Sequence, residues 1–450
     1  MASSSAADPK NVEDLSGRSA DTMSPPVRVD DAQRIILAQI EVLPADELPL
    51  LECLDLVLAE DVSAGSNVPP FANSAMDGYA IRSRDTEEAR PGAPASLAVV
   101  STIPSGLVST RTVGWGEAAR IMTGAPMPAG ADAVVRQEEV KLEPENRLRV
   151  SRAVPAGENV RAAGEDITAG TKVMTTGTSL DPVGIGVLAS LGRATARVHR
   201  RPNVGILSTG DEIVPPGEPL RPGQIRDSNG LMLAALVREA GGTPVQLGIA
   251  RDELDDVRSR LHRSEPDRLD LVISSGGVSV GDFDLVKQAL EAEGDIDCWQ
   301  VLIKPGKPLA FGRVAGVPFL GLPGNPVASY VGFLEFGRPA IRRQLGHCNP
   351  YLPEARARLA CDCDGAGGRR HFLRGRLRWD DGWIAEPIVK RGSGVLSSML
   401  EADCLIVIPE ECQRPQAGDV LTVQLLRPER AAAVAASGPM RPDGQRRLAE

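Results

Sequence analysis

Residues 269–284, LDLVISSGGVSVGDFD, carry the side chains and spacing of an anion site. The apolar run 269–274 is followed by Gly276-Gly277 and Gly281, and then by helical spacing over 285–290. A buried strand, a glycine loop and a helix start together hold anions. Glycine lets backbone N–H groups approach closely, and the helix N-terminus adds partial positive charge. Asp282 and Asp284 in the same loop would repel a bare anion. Acids beside an anion cradle point to a divalent cation between the two. The same residues also read as a tight βα turn with Asp284 near the cap of its helix.

Two more apolar runs end in unusual loops. Residues 204–208 lead into Thr209-Gly210-Asp211-Glu212, and 318–321 into Leu322-Pro323-Gly324-Asn325-Pro326. Ligands of open parallel sheets bind past the carboxyl ends of the strands, so the three loops are expected to share one crevice. That crevice would gather Asp211, Glu212, Asp282 and Asp284. Asn325-Pro326 is in any case a good N-cap followed by proline at N1, and Asp252 can cap the helix it precedes. A basic element balances the acids. In IKPGKP, residues 303–308, two prolines and a glycine frame Lys304 and Lys307 on a stiff turn, which suits an oxyanion; two solvated lysines are the alternative.

These loops need a scaffold. From Pro202 strands alternate with helices at 204–208, 230–240, 252–262, 269–274, 284–293, 318–321 and 327–344. This predicts a parallel α/β domain with helices on both faces, spanning 198–346. Before it, residues 67–163 hold short β-like runs (118–122, 133–135, 148–150) and read as a small β domain. A helix over 29–43 with Asp30 as N-cap, and a second started by Asp181-Pro182 and stopped by Gly192, fall in flanking segments. Residues 28–66 and 164–197 together read as a discontinuous linker domain. After His347, β runs at 356–360, 372–377, 405–408 and 421–425 predict a C-terminal β-barrel or sandwich over 347–428. Residues 1–27 and 429–450 read as tails.

Composition narrows the function. The 450 residues carry a net charge of −10 and only 3% aromatics, with no basic block, so no nucleic-acid partner is expected. No apolar run reaches membrane-spanning length and no signal peptide is seen. Seven scattered cysteines without a CxxC fit free thiols in a cytoplasmic protein. Cys361 and Cys363 with His371 lack a complete zinc set. No histidine falls in the loops above, which argues against histidine general-base chemistry.

Further segments complete a pattern: SAMDGYA at 74–80, TGAPMPAGADAVV at 123–135, GENVRAAGEDI at 157–167, RRPNVGILSTGDEI at 200–213, GQIRDSN at 223–229, KPGKPLAFG at 304–312 and GLPGNPVASY at 321–330. In this order they resemble the molybdopterin molybdenumtransferase family, and the chain is also similar to the C-terminal domain of gephyrin. The likeness covers about 28–428. It implies a multidomain fold with a three-layer α/β molybdopterin-binding domain and an elongated homodimer. The implied reaction takes adenylylated molybdopterin and molybdate to molybdenum cofactor and AMP with Mg²⁺. The likeness assigns polar roles to Asp77, Thr123 and Asp166, acidic roles to Glu212, Asp252 and Asp284, and oxyanion binding to Lys304 and Lys307. Glu212 and Asp284 would hold the metal. Ser274, Gly276, Gly277, Ser279 and Gly281 would line the substrate, Pro323 and Pro326 would shape their loop, and Arg374 and Ser393 match shorter motifs. Two departures stand out: Arg226 replaces a common aromatic, and the Asp252–Asp284 interval is one residue longer than in some relatives. Partners implied are the molybdopterin adenylyltransferase and cofactor-accepting enzymes, met transiently. A non-enzymatic scaffold and a pterin or nucleotide pyrophosphatase are the alternative functions.

Overall fold

Val204, Ile206 and Leu207 of one strand, Asn203–Thr209, are all buried. Neighbours on a strand point to opposite faces, so a strand buried on both needs cover on both. The computed structural model, which describes residues 26–251, 253–262, 269–277, 294–389 and 392–436, supplies that cover. On one face Val204 meets Val237 of the helix Asn229–Glu239 and Ile341 near Gly242. On the other, Leu207, Leu269, Val272 and Phe319 form a core with Val257 of the helix Leu254–His262.

The sheet has six strands, in the order Thr243–Ala250, Asn203–Thr209, Leu271–Ser275, Val317–Leu322, Pro308–Val314 and Gly294–Gln300. The first four are parallel, and Pro308–Val314 runs against them, pairing antiparallel with both Val317–Leu322 and Gly294–Gln300. The purely parallel sheet expected from the sequence is therefore corrected to a mixed one. Residues 308–314 continue straight out of the lysine turn, and that turn masked their strand pattern.

A long helix follows Val317–Leu322. It runs as Pro326–Gly332, a π turn Phe333–Gly337, and Arg338–Gln344. Asn325 stands at its N-cap, but its side chain makes no capping bond; its backbone oxygen accepts from Ser329 N at 2.9 Å. The first helix, Val29–Ala38, is shorter than expected and has Arg28, not Asp30, at its N-cap. Asp30 instead accepts from both terminal nitrogens of Arg370, at 2.5 and 2.7 Å. Long-range charge pairing overrides the local capping preference there.

The C-terminal strands close into a barrel. Arg370–Trp379 pairs with Trp383–Pro387, which pairs with Glu354–Leu359; Val420–Leu425 and Cys404–Ile408 complete the ring back to Arg370–Trp379. Leu373, Leu377, Ile406, Ile408 and Val423 fill it, together with Ala431 of a helix, Pro428–Ala436. The expected tail from 429 thus begins as a packed helix. Val27, placed in the other expected tail, donates to Gln300 O at 2.8 Å.

The chain forms two compact units: Ala45–His199, and the flanking segments Met1–Pro44 and Arg200–Glu450. Within Ala45–His199 a six-stranded sheet runs Ala133–Arg136, Gly78–Ile81, Glu117–Ile121, Ala95–Ile103, Arg147–Val150 and Val140–Glu143. Its two faces bury separate cores, one around Ile81 and Leu148, the other around Ile103 and Ile121. The helix Pro182–Ser190 starts as its sequence predicts: Asp181 accepts from Gly184 N at 2.7 Å. Among the described residues no helix is long and apolar enough to cross a membrane.

Candidate functional site

The order of the parallel strands locates a crevice. From Asn203–Thr209 the chain crosses to a strand on one side, Thr243–Ala250, and then returns to one on the other, Leu271–Ser275. Past the carboxyl ends of two strands whose crossovers diverge, a sheet opens a ligand crevice. Gly210, Asp211 and Glu212 leave one of these strands, and Gly276-Gly277 leave the other.

The turns there are close. A Cβ on Gly276, whose φ is +92°, would stand 2.8 Å from Thr209 Oγ1. Gly276 N donates to Leu322 O at 3.0 Å, and Gly324 lies next to it. The three loops expected to converge do converge. A Cβ on Gly210, with φ +140°, would sit 2.5 Å from a carboxylate oxygen of Glu212, so glycine makes room for that acid. Glu212 is exposed, and no donor among the described residues binds its carboxylate. An open hard-oxygen donor of this kind fits a Mg²⁺ ligand.

The lysine turn joins this cluster. Gly306 packs so that a Cβ would lie 3.3 Å from both Pro323 Cγ and Ala328 Cβ, and Lys304-Pro305 is a cis peptide. Lys304 ends a short strand, Ile303–Lys304, that pairs with the barrel strand carrying Arg374. Neither lysine is ion-paired among the described residues. Arg374 is 5% exposed and donates to Gly392 O at 3.2 Å. No carboxylate among the described residues neutralises it, and burial holds its guanidinium below the usual value. Ser393 O accepts from Val327 N at 3.0 Å, which ties the GSG turn to the start of the helix after Pro326. Ser274 is wholly buried, and its hydroxyl has no partner among the described residues. Glu212, Ser274, Gly276, Gly277, Lys304, Lys307, Pro323, Pro326, Arg374 and Ser393 therefore belong to one neighbourhood. Its common features are glycine turns and cations without counter-charges among the described residues.

Within Ala45–His199 a second polar pair is built. Thr123 N and Oγ1 donate to the same Asp77 oxygen at 2.7 and 2.8 Å. The backbone bond first, then the hydroxyl, hold the Asp77 carboxyl below its ordinary range. Gly78 is required here, because a Cβ would overlap Val135 O. The two turns are stitched by Gly124 N to Ser74 O at 2.8 Å and Ser74 N to Ala125 O at 3.0 Å. Asp166 is exposed, and its N–H bonds Val68 O at 3.0 Å; no hydrogen bond links it to Asp77 or Thr123.

Asp252, Ser279, Gly281 and Asp284, with Asp282, lie outside the described residues. Among the described residues no three His, Cys, Asp or Glu side chains converge as a metal site. Cys361 is exposed, whereas Cys363 is buried in the barrel core. Two residues escaped the sequence reading. Asp227 and Asn229, in GQIRDSN, make the hydrogen bonds that join the strand-end loops. Their signal was the Asp-x-Asn-Gly helix start at 227–230.

Comparison with known proteins agrees with this geometry. Residues 27–192 match the family profile of the MoeA N-terminal region (domain I and II), 205–343 that of a "probable molybdopterin binding domain", and 356–426 that of the MoeA C-terminal region (domain IV). A protein of Mycobacterium tuberculosis named molybdopterin molybdenumtransferase 2 is 39% identical over 88% of this chain and 98% of its own length. Molybdopterin molybdenumtransferase of Haemophilus influenzae is 36% identical over the same shares. The crystal structure of a molybdopterin biosynthesis MoeA protein from Pyrococcus horikoshii superposes with a TM-score of 0.78 at 33% identity, covering 90% of this chain and all of that one. With a mixed α/β domain, a closed five-stranded barrel and full-length relatives of one name, the chain belongs to the MoeA family, the molybdopterin molybdenumtransferases of molybdenum cofactor biosynthesis.

Proposed function

We propose that this chain transfers molybdenum from molybdate to adenylylated molybdopterin, forming molybdenum cofactor and releasing AMP. The observation that carries the reading is the set of cations, Lys304, Lys307 and Arg374, that have no counter-charge among the described residues, around the glycine turns at the strand ends. A molybdate dianion and a pyrophosphate are the charges such a set would neutralise. The lysines and the N–H groups of Gly276-Gly277 would hold the phosphoryl oxygens, and Arg374 with the Ser393 turn would hold molybdate. A molybdate oxygen can itself attack phosphorus, so no protein nucleophile is needed. The dithiolene supplies both sulfurs. Glu212, with Asp284, would hold Mg²⁺, which when bound withdraws charge from phosphorus. Asp77, fixed as an anion by Thr123, would orient a donor group of the substrate, and Asp166 and Asp252 would add polar contacts.

The proposal includes a homodimer, a cytoplasmic location, and transient contact with the adenylyltransferase and with cofactor-accepting enzymes. It also includes the division into a linker domain (28–66 with 164–197), a small β domain (67–163), the α/β domain (198–346) and the barrel (347–428).

Reconstitution with purified adenylyl-molybdopterin, with and without molybdate, tests the reaction. AMP and active cofactor should both form, and both should require molybdate. AMP released without molybdate would make the chain a pyrophosphatase. Binding without turnover would make it a scaffold.

A further inference from the structure

Asn229 opens the helix Asn229–Glu239 and is 8% exposed. Its Nδ2 donates to Ser275 Oγ at 2.8 Å and to Gly324 O at 2.7 Å. One side chain thus spans from the end of the strand Leu271–Ser275 to the LPGNP turn. Two residues earlier, Asp227 secures the third loop. Its Oδ2 accepts from Ser208 Oγ at 2.8 Å and its Oδ1 from Gly230 N at 2.8 Å. Gly230 allows this approach, since a Cβ there would stand 2.5 Å from Asp227 Oδ2 and 2.8 Å from Ser208 Oγ. The Asp-Ser-Asn-Gly start of one helix is therefore bonded to all three strand ends that frame the crevice.

The Asp227 bond to Gly230 N is ordinary helix capping, but capping does not explain the Asn229 bonds. The N-cap residue, Ser228, makes no side-chain capping bond, and the Asn229 amide points across the sheet ends rather than back to its own helix. Both amide hydrogens are used, while Asn229 Oδ1 is buried without a partner among the described residues. Such a group persists only where the two bonds it does make are worth an unsatisfied acceptor.

We propose that Asn229 is a positioning residue for the reaction: its amide fixes the distance between the Gly276-Gly277 turn and the Gly324 turn, and Asp227 fixes the helix that carries it. This rests on the site reading above. Asn229 touches no substrate; it sets where the backbone N–H groups of two anion-binding turns stand. A displacement of about 1 Å in such groups costs on the order of 100-fold in rate.

Asn229→Ala tests this against a matched control. Gln344 is likewise buried, at 3% exposure, and likewise donates to a backbone carbonyl, Asp270 O at 2.7 Å, with its Oε1 unpartnered. Asp270 lies at the opposite end of the same strand, so Gln344→Ala imposes a similar structural loss away from the crevice. At a temperature below both melts, Asn229→Ala should lose about 100-fold in kcat for molybdate-dependent AMP release. Gln344→Ala should lose none, and hydrogen exchange at Gly276 and Gly277 should quicken only in Asn229→Ala. Equal kcat in the two variants would overturn the proposal. Ser275→Ala removes one of the two bonds with a single oxygen atom and serves if Asn229→Ala does not fold. It should cost roughly tenfold in kcat, and an unchanged kcat there also counts against the proposal. Lys304→Ala and Glu212→Gln run alongside. Loss in those with normal Asn229→Ala overturns this inference alone, whereas no loss in them overturns the site reading itself.

Discussion

Single residues here act through what they lack as much as through what they bind. Lys304, Lys307 and Arg374 have no carboxylate among the described residues, although Arg200, Arg370 and Arg152 elsewhere are closely paired. Lys304→Ala should raise the adenylyl-molybdopterin concentration for half-maximal cofactor formation by about tenfold, the scale of one charge-assisted hydrogen bond. An unchanged titration would reduce this lysine to a solvated turn residue. Asp77 offers a finer test, since two donors from Thr123 converge on one oxygen. Thr123→Val keeps the backbone donor and removes the hydroxyl. The Asp77 pKa, followed by carboxyl NMR, should move up toward the ordinary range, and turnover should fall roughly tenfold. A variant with wild-type titration and turnover would show that the hydroxyl bond does nothing for function.

Elements carry the next set of expectations. The π turn Phe333–Gly337 places Glu335 at 3% exposure, facing Gln33 Nε2 at 3.0 Å and Gln424. Burial, the largest cause, pushes its pKa up from 4.5 to about 8, and Arg370 only partly offsets it. The folded state therefore binds this proton more tightly than the unfolded chain does. The resulting stabilisation is full below about pH 4.5 and is lost as the pH rises through about 8, at roughly 1.4 kcal/mol per unit. Glu335→Gln stays neutral, so in denaturant melts between pH 5 and 9 the wild type should lose stability relative to the variant. Parallel curves would show that the carboxyl is ionised throughout. At the other end of the chain, the helix Pro428–Ala436 contributes Ala431 to the barrel core at 2% exposure. A chain ending at Ala436 should melt like the full one, and one ending at Arg427 should lose roughly 2 kcal/mol or more. Ala431→Asp, which buries a charge, should cost roughly 3 kcal/mol. Equal melting of both truncations would mean that the helix adds nothing to the barrel.

At the scale of the whole molecule the chain is one unit inserted into another. Ala45–Pro49 pairs antiparallel with Thr195–His199 in the register Ala45↔His199, and Arg200 N donates to Pro44 O at 3.2 Å. Both crossings of the chain thus meet at one point, the condition under which domain insertion is tolerated. Residues 45–199 expressed alone should fold, with a single cooperative melt. Joining Pro44 to Arg200 through a short glycine linker should leave the remainder folded, and inactive if Asp77 and Thr123 act as proposed. A molten 45–199 fragment would show that its two cores depend on the flanking segments.

The sequence by itself determined what local chemistry controls. The strand and glycine turn at 269–277, the Asp181-Pro182 start, the Gly192 stop and the α/β order of the described elements all follow from backbone preferences and apolar period, which act over a few residues. Long ordered motifs also made the family legible. Only the tertiary structure decided which charges are paired. Asp30 left its capping role for Arg370, 340 positions away, and Arg374 was left without an acid among the described residues. It likewise decided that 308–314 runs antiparallel to both its neighbours, that 428–436 is a packed helix, and that Asn229 ties two turns 46 and 95 positions from itself. Such contacts depend on which distant surfaces meet, and residue spacing carries no record of that.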